Sequence, residues 1–239
     1  MSEKNILRDG CEAFHISLNK EQEEQFLKYY EILIEWNKVM NLTAITDYDE
    51  VMLKHFVDSI SLSNTFNLSS VNCMIDIGTG AGFPGIPLKI IYPHLKVVLL
   101  DSLNKRIRFL NEVMDNLGLK DISAVHGRAE DFAKQKDYRE NFDLCVSRAV
   151  ANLSSLSEYC LPYVRTGGMF VSYKAGNVEE EAEQAKKAIF LLGGEKKEIV
   201  KFRLPESEIE RSLVMIKKVK NTPAKYPRKA GLPAKEPLS

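Results

Sequence analysis

The stretch Met74-Ile-Asp-Ile-Gly78-Thr-Gly80-Ala-Gly82-Phe-Pro-Gly85-Ile-Pro-Leu-Lys89 constrains the fold of this chain more than any other. A short apolar run ending at Ile77 reads as a buried strand, and three alternate glycines follow it. Glycine lets the backbone turn sharply and approach a ligand, while the N-terminus of the next helix aims free N–H groups at whatever is bound. Pro84 and Pro87 fall in the first turn of that helix, expected to run to about Ile91, where missing N–H groups cost little. Strand, glycine turn and helix in this order open an α/β sheet with a nucleotide-type cofactor loop.

The chain beyond Cys73 repeats the alternation. Leu95 to Leu100 reads as a second strand ending in Asp101, with Ser102 as the expected cap of a helix from Lys105 to Leu117 closed by Gly118. Ile122 to Val125 is a third strand running into Gly127-Arg-Ala-Glu-Asp131, and Phe142 to Val146 a fourth with Ser147-Arg148-Ala149 at its end. A helix through Leu156 and Leu161 leads to Gly167-Gly168 and a fifth strand, Met169 to Tyr173. A charged helix from Val178 to Leu192 then precedes two strands, Glu198 to Phe202 and Leu213 to Val219, joined through Leu204-Pro205-Glu206. The expectation is an α/β fold: a doubly wound, mostly parallel sheet with an antiparallel hairpin strand at the C-terminal end.

Residues 1–70 carry no strand pattern and are expected to form a helical extension packed on a core of residues 71–220, with residues 221–239 as a basic arm without regular structure. Asn19 with Gln22 resembles a capping box before a helix whose Phe26, Tyr30, Leu33 and Met40 recur at helical spacing, with Trp36 nearby. Asp47 with Glu50 opens another helix, with Val51, Phe56 and Ile60 inward. His55 and Asp58 on that helix could face a ligand, although a surface-paired histidine is the commoner arrangement.

Composition removes several classes. A hydrophobic fraction of 44% indicates a globular chain, no apolar run reaches the ~18 residues of a membrane span, and Met1 to Gly10 is too polar for a signal peptide. A cytoplasmic protein is expected. Cys11, Cys73, Cys145 and Cys160 lack metal-ligand spacing and are expected to be buried free thiols, with no metal site. Lys and Arg total 33 and so do Asp and Glu, but the balance is uneven. Lys217, Lys218, Lys220, Lys225, Arg228, Lys229 and Lys235 face only Glu236 at the C-terminal end, as a local anionic partner would require, and as a solvated tail would also show. No coiled-coil seam demands a dimer, so a monomer is expected.

Open α/β sheets bind ligands outside the carboxyl ends of their strands, which gathers Gly78 to Phe83, Asp101, Ala129-Glu130 and Ser147-Arg148 into one crevice. Asp101 follows Gly78 at close to the ~20-residue spacing at which a carboxylate meets ribose hydroxyls. Gly80-Ala-Gly82-Phe-Pro-Gly85 satisfies the dinucleotide pattern G-x-G-x-x-G, but its register is wrong, because Gly78 is the first turn residue. No G-x-x-x-x-G-K-[ST] loop is present to cradle a nucleoside triphosphate. Ile75-Asp-Ile-Gly78-Thr-Gly80-Ala-Gly82, with Asp101 after the second strand, resembles the first two motifs of class I S-adenosylmethionine-dependent methyltransferases, a Rossmann-like fold. The resemblance implies S-adenosyl-L-methionine as cofactor, Asp76 near its methionine end and Ala129-Glu130 framing its adenine.

Residues after the fourth strand discriminate acceptors. No Asn or Asp followed by Pro-Pro and an aromatic, as amine methylation usually needs, appears there, and Cys145 lies within the strand rather than presented as a nucleophile. An acceptor that is already nucleophilic remains, such as guanine N7, which has a lone pair and no proton. Thr222-Pro-Ala-Lys225-Tyr226-Pro-Arg228-Lys229-Ala-Gly-Leu-Pro233 resembles the C-terminal signature of the bacterial 16S rRNA guanine-N7 methyltransferase family RsmG, or GidB. Asn41-Leu-Thr-Ala-Ile45, His55-Phe-Val-Asp-Ser59, Gly78 to Pro87 and Ser147-Arg148-Ala149 resemble its other motifs. The resemblance implies methylation of a guanine in the 530 loop of small-subunit rRNA, at rRNA position 527. It places Gly78, Gly80, Gly82, Phe83, Ala129, Glu130 and Arg148 at the cofactor, Arg148 as a positioning residue without a general base, and 16S rRNA or the 30S subunit as partner. Lys225, Tyr226, Arg228 and Lys229 are expected to contact RNA, the cations on phosphates and the ring on an unpaired base. Two other functions fit the residues: an RNA-binding assembly factor with a methyltransferase fold, and a small-molecule methyltransferase.

Overall fold

Two predicted cap residues, Asn19 and Asp47, shape the N-terminal third, the first in a full capping box and the second by its side chain alone. In the computed structural model, which describes residues 5–148, 151–176 and 178–238, Asn19 accepts from the Gln22 N–H at 2.9 Å and Gln22 returns the contact at 3.0 Å. The box starts α2 (Lys20–Met40), which follows α1 (Ile6–Ala13). Asp47 caps α3 (Tyr48–Val51), and the chain continues through a π-helical turn, Met52–Val57, into α4 (Asp58–Ile60). Such turns are uncommon and concentrate at functional sites. Val51, Phe56 and Ile60 are buried as expected, but the buried stripe of α2 runs through Gln22, Phe26, Tyr29, Ile32 and Leu33. Tyr29, not Tyr30, is thus the inward aromatic, because the face is fixed by packing on Phe56 and Phe83 as well as by spacing.

The sheet comprises β1 (Cys73–Ile77), β2 (Lys96–Asp101), β3 (Ile122–His126), β4 (Phe142–Ser147), β5 (Val164–Ala175), β6 (Gly194–Arg203) and β7 (Glu210–Lys218), in the order β3-β2-β1-β4-β5-β7-β6. The first five strands are parallel, and β7 pairs antiparallel with both β5 and β6. Ser212 to Ile216 are buried, whereas β6 alternates half-buried with exposed residues, so β7 takes the inner place and charged β6 the edge. The fifth strand is longer than its apolar run, because it begins at Val164, and Gly167-Gly168 lie in an irregularity between the paired residues Val164 and Met169.

Helices α5 (Gly85–Ile91), α6 (Asn104–Asn116), α7 (Ala129–Phe132), α8 (Leu153–Cys160), α9 (Glu179–Gln184) and α10 (Lys186–Leu191) cover the sheet. Two expectations are corrected here. Ser102 does not cap α6, whose N-cap position is Leu103 with no side-chain cap; and the charged helix is two short ones that meet at Ala185. Alternation along each strand splits the core: Met74, Leu144, Val146 and Val171 pack with the N-terminal helices, while Ile75, Cys145, Phe170 and Val214 pack with α8 and α10. Cys11, Cys145 and Cys160 are buried free thiols and Cys73 is half-buried. Among the described residues no helix is long and apolar enough to cross a membrane.

The C-terminal arm departs most from expectation. It is packed and contains a helical turn, α11 (Leu232–Lys235), that lies against α8. Arg139 donates to the carbonyls of Thr222 at 2.7 Å and Tyr226 at 2.9 Å, and Glu140 accepts the Thr222 N–H at 2.7 Å. Lys218, fully buried, donates to Leu161 O and Thr222 Oγ1, both at 2.6 Å, and burial lowers its pKa to about 8. Arg228 pairs at 2.7 Å with Glu158, whose side chain is 0% exposed, and Tyr226 is buried in the α8-side core.

Candidate active site

The order β3-β2-β1-β4-β5 reverses direction between β1 and β4, and a cleft opens outside the carboxyl ends of these strands. It is a cavity of about 680 Å³, within the ~300–1,000 Å³ usual for small-molecule sites. Gly78, Gly80 and Phe83 from the loop after β1, Asp101 from β2, Ala129 and Glu130 from α7, and Arg148 beyond β4 all line it, as expected. Gly78 and Gly80 hold φ of 70° and 62°, the left-handed region that glycine adopts without strain.

Asp76 and Gly82 do not line the cavity; they build the loop from behind. Asp76 is fully buried, and its Oδ2 accepts Thr79 Oγ1–H at 2.7 Å and Gly85 N–H at 2.9 Å. Its Oδ1 has no partner among the described residues, and burial pushes its pKa up to about 7. A Cβ on Gly82 would lie 2.5 Å from the Tyr29 hydroxyl, which donates to Ala81 O and pins the loop. Strand register explains the difference: Asp76 points back into the core, because the turn begins only at Gly78.

Asp101 is 3% exposed and already organised. Its carboxylate accepts the N–H groups of Gly80 and Leu103, both at 2.9 Å, and pairs with Arg106 at 3.0 Å. Arg106 is the most exposed of these partners, its side chain 35% exposed, whereas the amides belong to the backbone. Glu130 is 4% exposed and accepts the Gly231 N–H of the arm at 2.7 Å, so this wall of the cavity is also an anchor for the arm.

At the other end, Arg148 donates to Asp58 Oδ2 at 3.1 Å and to the Lys54 carbonyl at 3.3 Å, and its guanidinium lies 4.9 Å from the Phe83 ring centroid. Asp58, 4% exposed, also accepts from Arg211 Nε at 3.1 Å, so both candidates on the N-terminal helix take part in the site. His55 stacks on Phe83 with centroids 4.7 Å apart and its Nε2 lies 2.7 Å from Thr43 Oγ1. Burial, then the Arg148 charge, lower its pKa to about 4, so it is neutral near pH 7 and poorly suited to take a proton. His55, Arg148 and Ala151 also line a second cavity of about 630 Å³. Ala149, in the expected fourth-strand motif, lies outside the described residues.

Thr43, Arg106, Arg128 and Tyr159 also line the cavity and carry no site signal in the sequence, apart from the motif positions around Thr43 and Arg128. Tyr159 sits on α8 with no local signal, and Arg106 is readable only as the residue one turn beyond Asp101. Lys225, Tyr226, Arg228 and Lys229 are not brought to the cavity walls. Tyr226 packs in the core and Arg228 pairs with Glu158, whereas Lys225 and Lys229 are exposed.

Among solved structures, StiE O-MT residues 961–1257 shares the fold with a TM-score of 0.54 at 15% identity, over 70% of this chain and 75% of that one. NSun6 from Pyrococcus horikoshii does so with a TM-score of 0.51 at 15% identity, over 64% of this chain and 49% of that one. Ribosomal RNA small subunit methyltransferase G of Lachnoclostridium phytofermentans is 56% identical over all of this chain and 98% of its own length. The protein of the same name from Acetivibrio thermocellus is 52% identical over 99% of this chain and 97% of its own. Residues 22–214 match the GidB family, rRNA small subunit methyltransferase G, and the chain belongs to that family.

Proposed function

We propose that the chain transfers a methyl group from S-adenosylmethionine to N7 of a guanine in the 530 loop of 16S rRNA, at rRNA position 527. The observation that carries this reading is a glycine-turn crevice with carboxylates at its strand ends, sharing the wall of His55 and Arg148 with a second cavity. The donor set fits the cofactor: Asp101 offers carboxylate oxygens to a ribose, Glu130 stands at the adenine end, and open space beside Gly80 admits a ligand against the backbone. When bound, the cofactor supplies an electrophilic methyl group on a sulfonium.

The chain's part is orientation and exclusion of water. Guanine N7 carries no proton, so its lone pair forms the new N–C bond as the S–C bond breaks, and no general base is needed. Neutral His55 and ion-paired Arg148 agree with such chemistry, for neither is poised to accept a proton. Arg148, fixed by Asp58 and the Lys54 carbonyl, positions reactants at the junction of the two cavities. Lys225 and Lys229 provide cationic contacts for rRNA phosphates outside the crevice.

Deleting the gene and analysing rRNA nucleosides by mass spectrometry tests the reading: one 7-methylguanosine is lost from 16S rRNA and returns on complementation. Retention of every 7-methylguanosine rejects it. An assembly factor with a relict fold is separated by thermal unfolding with S-adenosylmethionine, where occupancy at 100 times Kd stabilises by ~2.7 kcal/mol and a relict site gives no shift.

A further inference from the structure

The cavity on the far side of Arg148 is not explained by cofactor binding. Lys174, at the carboxyl end of β5, and Glu181, on α9, form an ion pair there at 2.7 Å with side chains only 12% and 29% exposed. Lys174 Nζ also donates to Ala151 O at 2.7 Å, and Glu181 Oε1 also accepts the Leu153 N–H at 2.7 Å. An ammonium has three donors, so one remains, and Glu181 Oε2 has no hydrogen-bond partner among the described residues. The pair therefore offers one donor and one acceptor atom side by side in a cavity of about 630 Å³.

One donor beside one acceptor fits the guanine edge in one orientation and the adenine edge only in the reverse one. Guanine presents O6 as acceptor beside the N1–H and 2-amino donors, whereas adenine presents a 6-amino donor beside the N1 acceptor. We propose that Lys174 and Glu181 read the target guanine, Lys174 donating to O6 and Glu181 Oε2 accepting from the N1–H and 2-amino edge. The inference rests on the guanine-N7 reading and adds to it the residues that select the base. Reading this edge leaves N7 free, whereas an arginine bidentate to O6 and N7 would cover the reacting atom. The other cations of the cavity are already engaged, Arg148 and Arg211 by Asp58 and Lys54 by Glu50.

Short RNA hairpins carrying guanine or inosine at the target position test the assignment, since inosine lacks only the 2-amino group. Binding is measured by fluorescence anisotropy, and methylation by nucleoside mass spectrometry, for wild type and Glu181→Gln. Wild type is expected to bind inosine RNA about tenfold more weakly than guanine RNA. In E181Q the two RNAs should bind within about twofold of each other, because the second acceptor interaction is weakened for guanine alone. The ratio is internal to each variant, so partial loss of folded protein cancels. Should E181Q fail to fold, Lys174→Met serves, with 6-thioguanine, whose sulfur accepts hydrogen bonds poorly while the N1–H and 2-amino group are kept, replacing inosine: the wild-type preference for guanine should collapse. An unchanged guanine preference in the variant overturns the proposal. If wild type places the methyl group on another atom, the N7 reading fails, while the binding ratios still decide which residues read the edge.

Discussion

The glycine loop after β1 and the C-terminal arm both flank the crevice, yet their sequences inform in opposite ways. The loop's glycines are required by local backbone geometry, φ from 62° to 90° at Gly78, Gly80 and Gly82, which any surroundings would demand. The arm's cations carry no such local requirement, and the fold uses several internally: Lys218 beneath Thr222, and Arg228 against buried Glu158. A glycine states its own conformation, whereas a charge takes its meaning from a partner at any distance along the chain. The partner of Arg228 is 70 residues away, on α8.

The largest effect that sharpens this contrast is expected at Arg228. R228A leaves a fully buried carboxylate unpaired and should cost ~3–5 kcal/mol in urea unfolding. K229A, at an exposed position, should stay within about 0.5 kcal/mol. Equal stability of the two variants would return the whole arm to solvent. On the loop side, G82A forces a side chain into a left-handed backbone and against the Tyr29 hydroxyl, and should cost about 3 kcal/mol with loss of cofactor binding by calorimetry. Unimpaired cofactor binding by a folded G82A would contradict the loop's role.

Third is the pH response of Asp76, which supports the loop from behind. Its folded pKa, about 7, exceeds the ordinary carboxylate value of 3.8, so the folded state holds a proton that the unfolded chain releases. Its contribution is complete below pH ~4 and is lost as pH rises through 7. His55, lowered to about 4 from 6.5, tilts stability the other way between those values. D76N should remove the falling component, so that urea midpoints rise more steeply, or fall less, with pH from 4 to 7 than in wild type. Parallel pH curves for the two proteins would sink the assignment.

How much could be read beforehand follows the same division. The strand order's crevice, the loop, Asp101, Glu130 and Arg148 were all legible, because strand ends and turn glycines are fixed by periodicity and backbone chemistry. The placement of Asp76 behind the loop was not, since one residue of strand register decides whether a side chain faces core or cleft. Nor was Tyr29 separable from Tyr30: adjacent aromatics on α2 differ only in which one meets Phe83. Tyr159 and the Lys174–Glu181 pair come from elements brought to the crevice by tertiary packing alone.

The smallest expected effects concern the exposed lysines. K225A and K229A should leave stability and cofactor affinity unchanged and lower the slope of log affinity for rRNA against log salt by about 1 each. Affinity equal to wild type at every salt concentration would remove the arm from the RNA surface altogether.

The central claim is methyl transfer to guanine N7 within small-subunit rRNA. It is tested most directly by incubating the purified chain and S-adenosylmethionine with naked 16S rRNA, an assembly intermediate and 30S subunits, all from the deletion strain. The modified nucleoside is identified by mass spectrometry and located by primer extension. One 7-methylguanosine at position 527 in at least one substrate is the expected result. No transfer to any of the three, or a methyl group on another atom or another nucleotide, would contradict the account.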